Sequence, residues 1–189
     1  MVFKEVDQER GDLVSSEFYD CEFVRCNFVE AVFHKCRFVN CVFQHCDLSL
    51  VRVPDSTFSS TRFEDSRVIG VNWAQAHWPS TGLRDSVGFF KSAISHSTFF
   101  GLSLRALQII DCVAQGVDFR ESDLSQADFA GTDLSESMFI NTDLTEADLS
   151  SARNYHIDPG QNVLRQARFS LPEAMSLLYN LDIVLVDGG

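Results

Sequence analysis

Basic residues are in short supply. The 189-residue chain carries 15 Lys and Arg against 27 Asp and Glu, a formal net charge of -12. Gripping a phosphate backbone takes Lys and Arg, so direct nucleic-acid binding is not expected; the charge favours a basic partner or simple solubility. No apolar run is long enough to cross a bilayer, and no basic-then-apolar opening reads as a signal peptide. The expectation is a cytoplasmic protein without membrane contact. Catalytic signatures are missing too: there is no G-x-S-x-G, phosphate-binding glycine loop, G-x-G-x-x-G or H-E-x-x-H. The histidines (His34, His45, His77, His96 and His156) show no ligand spacing. No catalytic residue, metal or cofactor is therefore expected, and the chain does not read as an enzyme.

Aromatics with a polar handle are also few, with 3 Tyr and 2 Trp, yet there are 17 Phe. That imbalance points to a dry, repetitive core. Written in fives from Leu13, the chain places Phe18, Phe23, Phe28, Phe33, Phe38, Phe43 and Leu48 at one phase. The series runs on to Leu83, slips by one residue within Arg84–Gly88, and resumes at Phe89 through Leu149. Of 28 such quintets, 21 are centred on Phe or Leu, so the repeat is the fold. Two residues before each centre sits a small side chain: Ser16, Cys21, Cys26, Ala31 and Cys36 early, Ala127, Thr132, Ser137, Thr142 and Ala147 late. Residues two apart on an extended chain share a side, so each quintet turns a small and a large residue inward. Five is odd, and an unbroken strand would flip faces at every repeat; the chain must turn once per quintet.

All six Cys (Cys21, Cys26, Cys36, Cys41, Cys46 and Cys112) fall at the small position. They read as buried, reduced thiols acting as small hydrophobes rather than as zinc ligands or disulfides.

Ala127-Asp128-Phe129-Ala130-Gly131 and Thr132-Asp133-Leu134-Ser135-Glu136 closely match the pentapeptide-repeat consensus, and the chain resembles that family over roughly residues 11 to 150. The resemblance implies an all-β solenoid, a right-handed quadrilateral β-helix with four quintets per coil. Twenty-eight quintets then make about seven coils, with a one-residue joint near 84–88. Residues 1–10 show no period and are expected to cap the stack, since open ends leave strand edges unpaired.

After Leu149 the period ends in a turn-rich stretch with Asn154, Asp158, Pro159 and Gly160. Ser170 as N-cap, Pro172 in the first turn and Glu173 completing a capping box predict a short α-helix, followed by a short strand over Ile183–Val186. Ala174, Leu177, Leu178, Leu181, Ile183 and Leu185 form an apolar surface that cannot bury itself. Residues 151–189 are expected to cap the last coil and to join two copies as a homodimer.

Charge is uneven along the chain. Residues 106–150 hold ten acidic side chains (Asp111, Asp118, Glu121, Asp123, Asp128, Asp133, Glu136, Asp143, Glu146 and Asp148) and one basic, Arg120. Twenty-residue coils would stack Asp123 on Asp143 and Asp128 on Asp148. A dimer joined at its C-terminal ends would carry one continuous negative belt around a narrow rod, the electrostatic outline of a duplex. Asp just before a centre can equally serve local turn backbone groups, and six of the ten occupy that position.

Cys112-Val113-Ala114-Gln115-Gly116-Val117-Asp118-Phe119-Arg120 is similar to a stretch of the Qnr quinolone-resistance proteins. Asn154, Ile157-Asp158-Pro159, Ala167-Arg168-Phe169-Ser170 and the final Val-Asp-Gly-Gly are similar to the ends of Qnr, MfpA and the microcin immunity protein McbG. That resemblance implies a DNA-mimicking dimer that binds DNA gyrase or topoisomerase IV and modulates it or protects it from quinolones or toxins. Many Qnr proteins carry long projecting loops. Here the sequence shows only the one-residue slip, which points to the loop-free branch, where gyrase inhibition or self-immunity is at least as expected as quinolone protection. The competing reading is a scaffold or regulatory protein with a non-topoisomerase partner, anchored by the outward aromatics Tyr19, Phe90 and Phe100. Trp73 and Trp78, oversized for centres, suggest a locally widened coil.

Overall fold

The structure is a computed structural model that describes residues 1–78, 87–181 and 183. A typical quintet is a three-residue strand followed by one left-handed residue, as in Arg37–Val39 followed by Asn40 at φ 53°. This is the turn that the odd period demands. Among the described residues, 24 non-glycine residues sit at positive φ, each at a cost of about 1–2 kcal/mol. The same conformation points the amide at the next coil, so Arg10, Glu30 and Asn40 donate to Val29, Ser49 and Ser59 carbonyls at 2.9, 2.9 and 3.0 Å.

Coils pair in parallel, partners 20 residues apart: Phe18 with Phe38, Phe23 with Phe43, Asp123 with Asp143. Four faces result. Face one runs through Phe23 and Phe129, face two through Phe28 and Leu134, face three through Phe33 and Phe119, and face four through Phe38 and Leu124. Along face one the rungs Val2, Glu22, Val42, Arg62, Gly88, Gln108, Asp128, Asp148 and Arg168 follow one another. Nine rungs enclose eight turns, so the solenoid has about eight turns, one more than the quintet count suggested.

The extra turn comes from both ends. Residues 1–10 are not a separate cap: Val2–Lys4 pairs with Glu22–Val24, Asp7 pairs with Asn27, and the Phe3 ring stacks on Phe23 at 4.9 Å. Beyond Leu149 the ladder also continues, through Arg153 on Asp133, Val163 on Asp143 and Phe169 on Leu149. Tyr155 and Ile157 are buried in that coil.

The joint differs from expectation. Phe63 pairs with Phe89, Arg67 with Ala93 and Asn72 with Thr98, each 26 residues on rather than 20. Faces one, two and three thus stay in register, and six additional residues leave the ladder on face four, between Phe58 and Leu104. Leu83 and Arg84–Ser86 lie outside the described residues. Registration is worth keeping: it sets the Phe89 ring on Phe63 at 5.1 Å, continuing the column Phe3, Phe23, Phe43, Phe63.

The core is this set of columns. Burying each Phe or Leu contributes about 1.5–3 kcal/mol. The small position does more than leave room. Its amide has no coil-to-coil carbonyl on face two, and the side chain one coil up supplies the acceptor. Cys26 N donates to Cys46 Sγ, Cys46 N to Ser66 Oγ, Ser66 N to Ser92 Oγ, Ser92 N to Cys112 Sγ and Cys112 N to Thr132 Oγ1, at 3.0–3.4 Å. The thiols are free and buried, as expected. They are also rungs of a hydrogen-bonded spine, not merely small hydrophobes.

The C-terminal helix is a 3-10 helix, Glu173–Asn180, rather than an α-helix. Ser170 does not cap it. The Ser170 hydroxyl instead donates to the Ser150 carbonyl one coil below, and the helix closes by i to i+3 bonds such as Met175 N to Pro172 O at 3.0 Å. The strand expected over Ile183–Val186 lies, apart from Ile183, outside the described residues. No helix among the described residues is long and apolar enough to cross a membrane.

Candidate partner-binding surface

The ten carboxylates fall into two structural sets. Asp118, Asp123, Asp128, Asp133, Asp143 and Asp148 immediately precede a centre. Each accepts the amide two residues on, from Arg120, Ser125, Ala130, Ser135, Thr145 and Ser150, at 2.8–3.1 Å. These are Asx turns, and they tighten each quintet. Asp111, Glu121, Glu136 and Glu146 occupy the left-handed corners, fully exposed.

The stacking expected for Asp123 on Asp143 and Asp128 on Asp148 is present as parallel bridges. A uniform belt is not. Arg120 clamps Asp118 through two bonds of 2.9 and 2.7 Å, Arg153 lies 3.5 Å from Asp133, and Arg168 pairs with Asp148. The charge count over 106–150 missed Arg153 and Arg168 because each reaches its partner from 20 residues downstream. These contacts leave marks on acidity. Hydrogen bonds from Arg120 hold the Asp118 carboxyl below the usual range, and a hydrogen bond from Asn154 does the same for Asp133. Burial, the largest single influence on Asp148, pushes its carboxyl up, but the Ser150 bonds and Arg168 together outweigh it and hold it low.

Among the described residues Asp111, Glu121, Asp123, Asp128, Glu136, Asp143 and Glu146 make no ion pair. Asp123 and Asp143 lie on face four, Asp128 on face one, and Glu146 at the corner between them, where Gln126 donates to it at 2.9 Å. The uncompensated charge is therefore gathered along one edge of the rod. Asp111, Glu121 and Glu136 sit singly at the other three corners.

Of the C-terminal apolar set, Leu177 packs on the core, Ala174 and Leu178 are half-buried, Leu181 and Ile183 are exposed, and Leu185 lies outside the described residues. Sequence reading did not single out Leu171, Met175 and Tyr179, which this end also exposes. Of the outward aromatics, Tyr19 donates its hydroxyl to Glu17, and Phe90 lies over Gly88 with the Arg62 guanidinium 4.6 Å above its ring. A Cβ on Gly88 would come within 2.6 Å of the Phe90 ring, so this placement needs glycine. Phe100 remains exposed. Trp73 is a buried centre, and Trp78 leans on it, donating Nε1 to the Trp73 carbonyl at 2.9 Å.

No cluster of three or more His, Cys, Asp or Glu among the described residues could hold a metal. A hollow of about 210 Å³ on face one, lined by Glu22, Val24, Val42, Gln44 and Glu64, is shallow and open. It falls short of the roughly 300–1,000 Å³ of enclosing ligand sites. What the rod offers chemically is a surface.

Two family signatures match the chain: "Pentapeptide repeat region" over residues 16–99 and "Pentapeptide repeats (8 copies)" over 115–152. No curated protein sequence matches significantly. Among solved structures, a trypsin-treated form of QnrB1, described as a plasmid-mediated fluoroquinolone resistance protein, aligns over 98% of both chains at 17% identity and a TM-score of 0.75. Full-length QnrB1 aligns over 96% of this chain and 97% of its own at 18% identity and a TM-score of 0.58. At such identity the likeness is one of fold.

Proposed function

The chain belongs to the pentapeptide-repeat family, and from that premise we propose that it is a DNA-mimicking protein that binds a bacterial type II topoisomerase, DNA gyrase or topoisomerase IV. The observation that carries this reading is the acidic edge. Asp123, Asp128, Asp143 and Glu146 stand without ion pairs among the described residues, along a narrow rod. Neighbouring coils repeat at about 4.8 Å, a line of negative charge suited to a basic groove built for a phosphate backbone. No chemistry occurs on the rod; binding is electrostatic, and it protects or inhibits the enzyme by occupying its DNA-binding surface. The likeness to QnrB1 and the Qnr-like sequence around Cys112–Arg120 support the choice of partner. The six extra residues on face four remove the reason for setting quinolone protection aside, because the rod is not loop-free in residue count.

The mimic acts as a two-fold dimer in this proposal, joined through Ala174, Leu177, Leu178, Leu181, Ile183 and Leu185. Two copies joined there bring their acidic coils to the middle of a double-length rod. The test is titration into a gyrase supercoiling assay, with and without a fluoroquinolone. The expected result is inhibition or rescue at micromolar protein, abolished by replacing Asp123, Asp128, Asp143 and Asp148 with Asn. Asn keeps the Asx-turn acceptor, so the fold is retained. Activity that survives the quadruple change rules out the edge as the site.

A further inference from the structure

Face three carries a different surface. Between Gly88 and Ala152 the described residues expose four large hydrophobics, Phe100, Val113, Met138 and Ile140, and three of them lie on this face. Thr98, Asp118 and Met138 follow one another up it, which sets Phe100, Arg120 and Ile140 in the adjacent column. The centre of the patch is neutral: Arg120 is clamped to Asp118 by two hydrogen bonds and lies 5.7 Å from the Phe100 ring. Its two borders are anionic. Glu121 stands at the corner toward face four and Glu136 at the corner toward face two, both exposed and without an ion pair among the described residues.

We infer that this face docks a cationic amphipathic helix of a partner protein. An apolar strip between two rows of carboxylates complements a helix with an apolar stripe flanked by Lys or Arg. The spacing agrees. Phe100 and Ile140 are two coils apart, about 9.6 Å, and residues seven apart on a helix are separated by about 10.5 Å. Met138 and Ile140 share one quintet and widen the strip at its upper end. A simple basic groove would need no apolar centre, and a neutral apolar partner would gain nothing from the carboxylate borders. The inference does not depend on a topoisomerase partner.

The experiment uses the full chain and two fluorescein-labelled 15-residue peptides of identical Leu–Lys composition, one with leucines at helical spacing and one scrambled. Binding is read by fluorescence anisotropy. The amphipathic peptide is expected to bind at least tenfold more tightly than the scrambled one. The double change Phe100→Ser and Ile140→Ser should remove that advantage, while Val113→Ser, an exposed apolar position on face two, leaves it intact; thermal unfolding confirms that all three proteins are folded. Equal binding of the two peptides overturns the inference, and so does a loss with Val113→Ser as large as with the face-three pair.

Discussion

Phe38 and Leu124 hold equivalent places on face four, one below the insertion and one above it, and their surroundings differ throughout. Below, Phe18, Phe38 and Phe58 stack ring on ring at 5.1 Å, and the residues before these centres, Glu17, Arg37 and Thr57, belong to three-residue strands. Above, the column is Leu104, Leu124 and Leu144, and the residues before the upper two are Asp123 and Asp143, which close Asx turns onto Ser125 and Thr145. The lower coils are held by contacts between coils, the upper ones in larger part by hydrogen bonds within each quintet. One coil geometry is therefore reached by two chemistries, and only the second leaves a carboxylate on the surface at every use.

The largest test of this contrast is a charge in the aromatic column. Phe38→Asp puts an unpaired carboxylate between two rings in a site with no solvent exposure, and it is expected to abolish the cooperative thermal transition. The milder Phe38→Ala should cost about 3–5 kcal/mol, and Leu124→Ala less, within about 2–5 kcal/mol. Urea unfolding ranks them; a smaller loss at Phe38 than at Leu124 breaks the comparison.

Hydrogen bonding at the small position gives the next effect. Thr132 Oγ1 donates to the Ile109 carbonyl at 2.6 Å and accepts from Cys112 N at 3.2 Å. Thr132→Val removes both, with an expected loss of about 1–3 kcal/mol. Cys46→Ser should cost under about 1 kcal/mol, because a hydroxyl fills the rung that Ser66 already fills one coil higher. A loss at Cys46 equal to that at Thr132 would mean that packing, not the spine, decides these positions.

The spine also shows what the sequence could reveal. The period, the inward Phe and Leu and the turn per quintet were all legible, because each is a local pattern. The small position was legible in size but not in chemistry, since the amide that needs Cys46 belongs to Cys26, a full coil away. Long-range pairing likewise hid Arg153 and Arg168 from the charge count. Phe3 is in phase, but a lone Phe followed by Gln8 at the next centre does not declare a repeat; only the Phe3–Phe23 stack does. The insertion escaped for the opposite reason. One quintet plus one residue preserves the appearance of a five-residue rhythm while six residues leave the ladder. At the C-terminus Ser170 looked like a cap because its competing acceptor, the Ser150 carbonyl, is distant in sequence.

Acid should separate the two halves more gently. Asp118, Asp133 and Asp148 have carboxyls held low in the folded protein. A depressed folded value means that their stabilisation is present above the ordinary carboxylate range, near about 4, and is lost as pH falls through the folded values. Hydrogen exchange compared at pH 7 and pH 3 is expected to show earlier loss of protection at the Arg120, Ser135 and Ser150 amides than at strand amides of the aromatic half. Parallel loss in both halves would remove the distinction.

The smallest effect is the most telling for function. If each upper Asp is retained for its turn, the charge is incidental to folding and free to serve a partner. Asp128→Ala removes the acceptor for Ala130 N at 2.9 Å and should cost about 1 kcal/mol, comparable with the loss of a helix cap. Asp128→Asn keeps the acceptor, drops one negative charge, and should stay within about 0.5 kcal/mol of the parent. Denaturant midpoints at low and high salt decide it. If Asn is as costly as Ala at both salt concentrations, the carboxylate itself is structural and the acidic edge exists for the fold. If Asn is neutral or slightly stabilising, and more so at low salt, where stacked Asp128 and Asp148 repel most strongly, then the edge holds its charge against the interest of folding, and binding is the remaining reason to keep it.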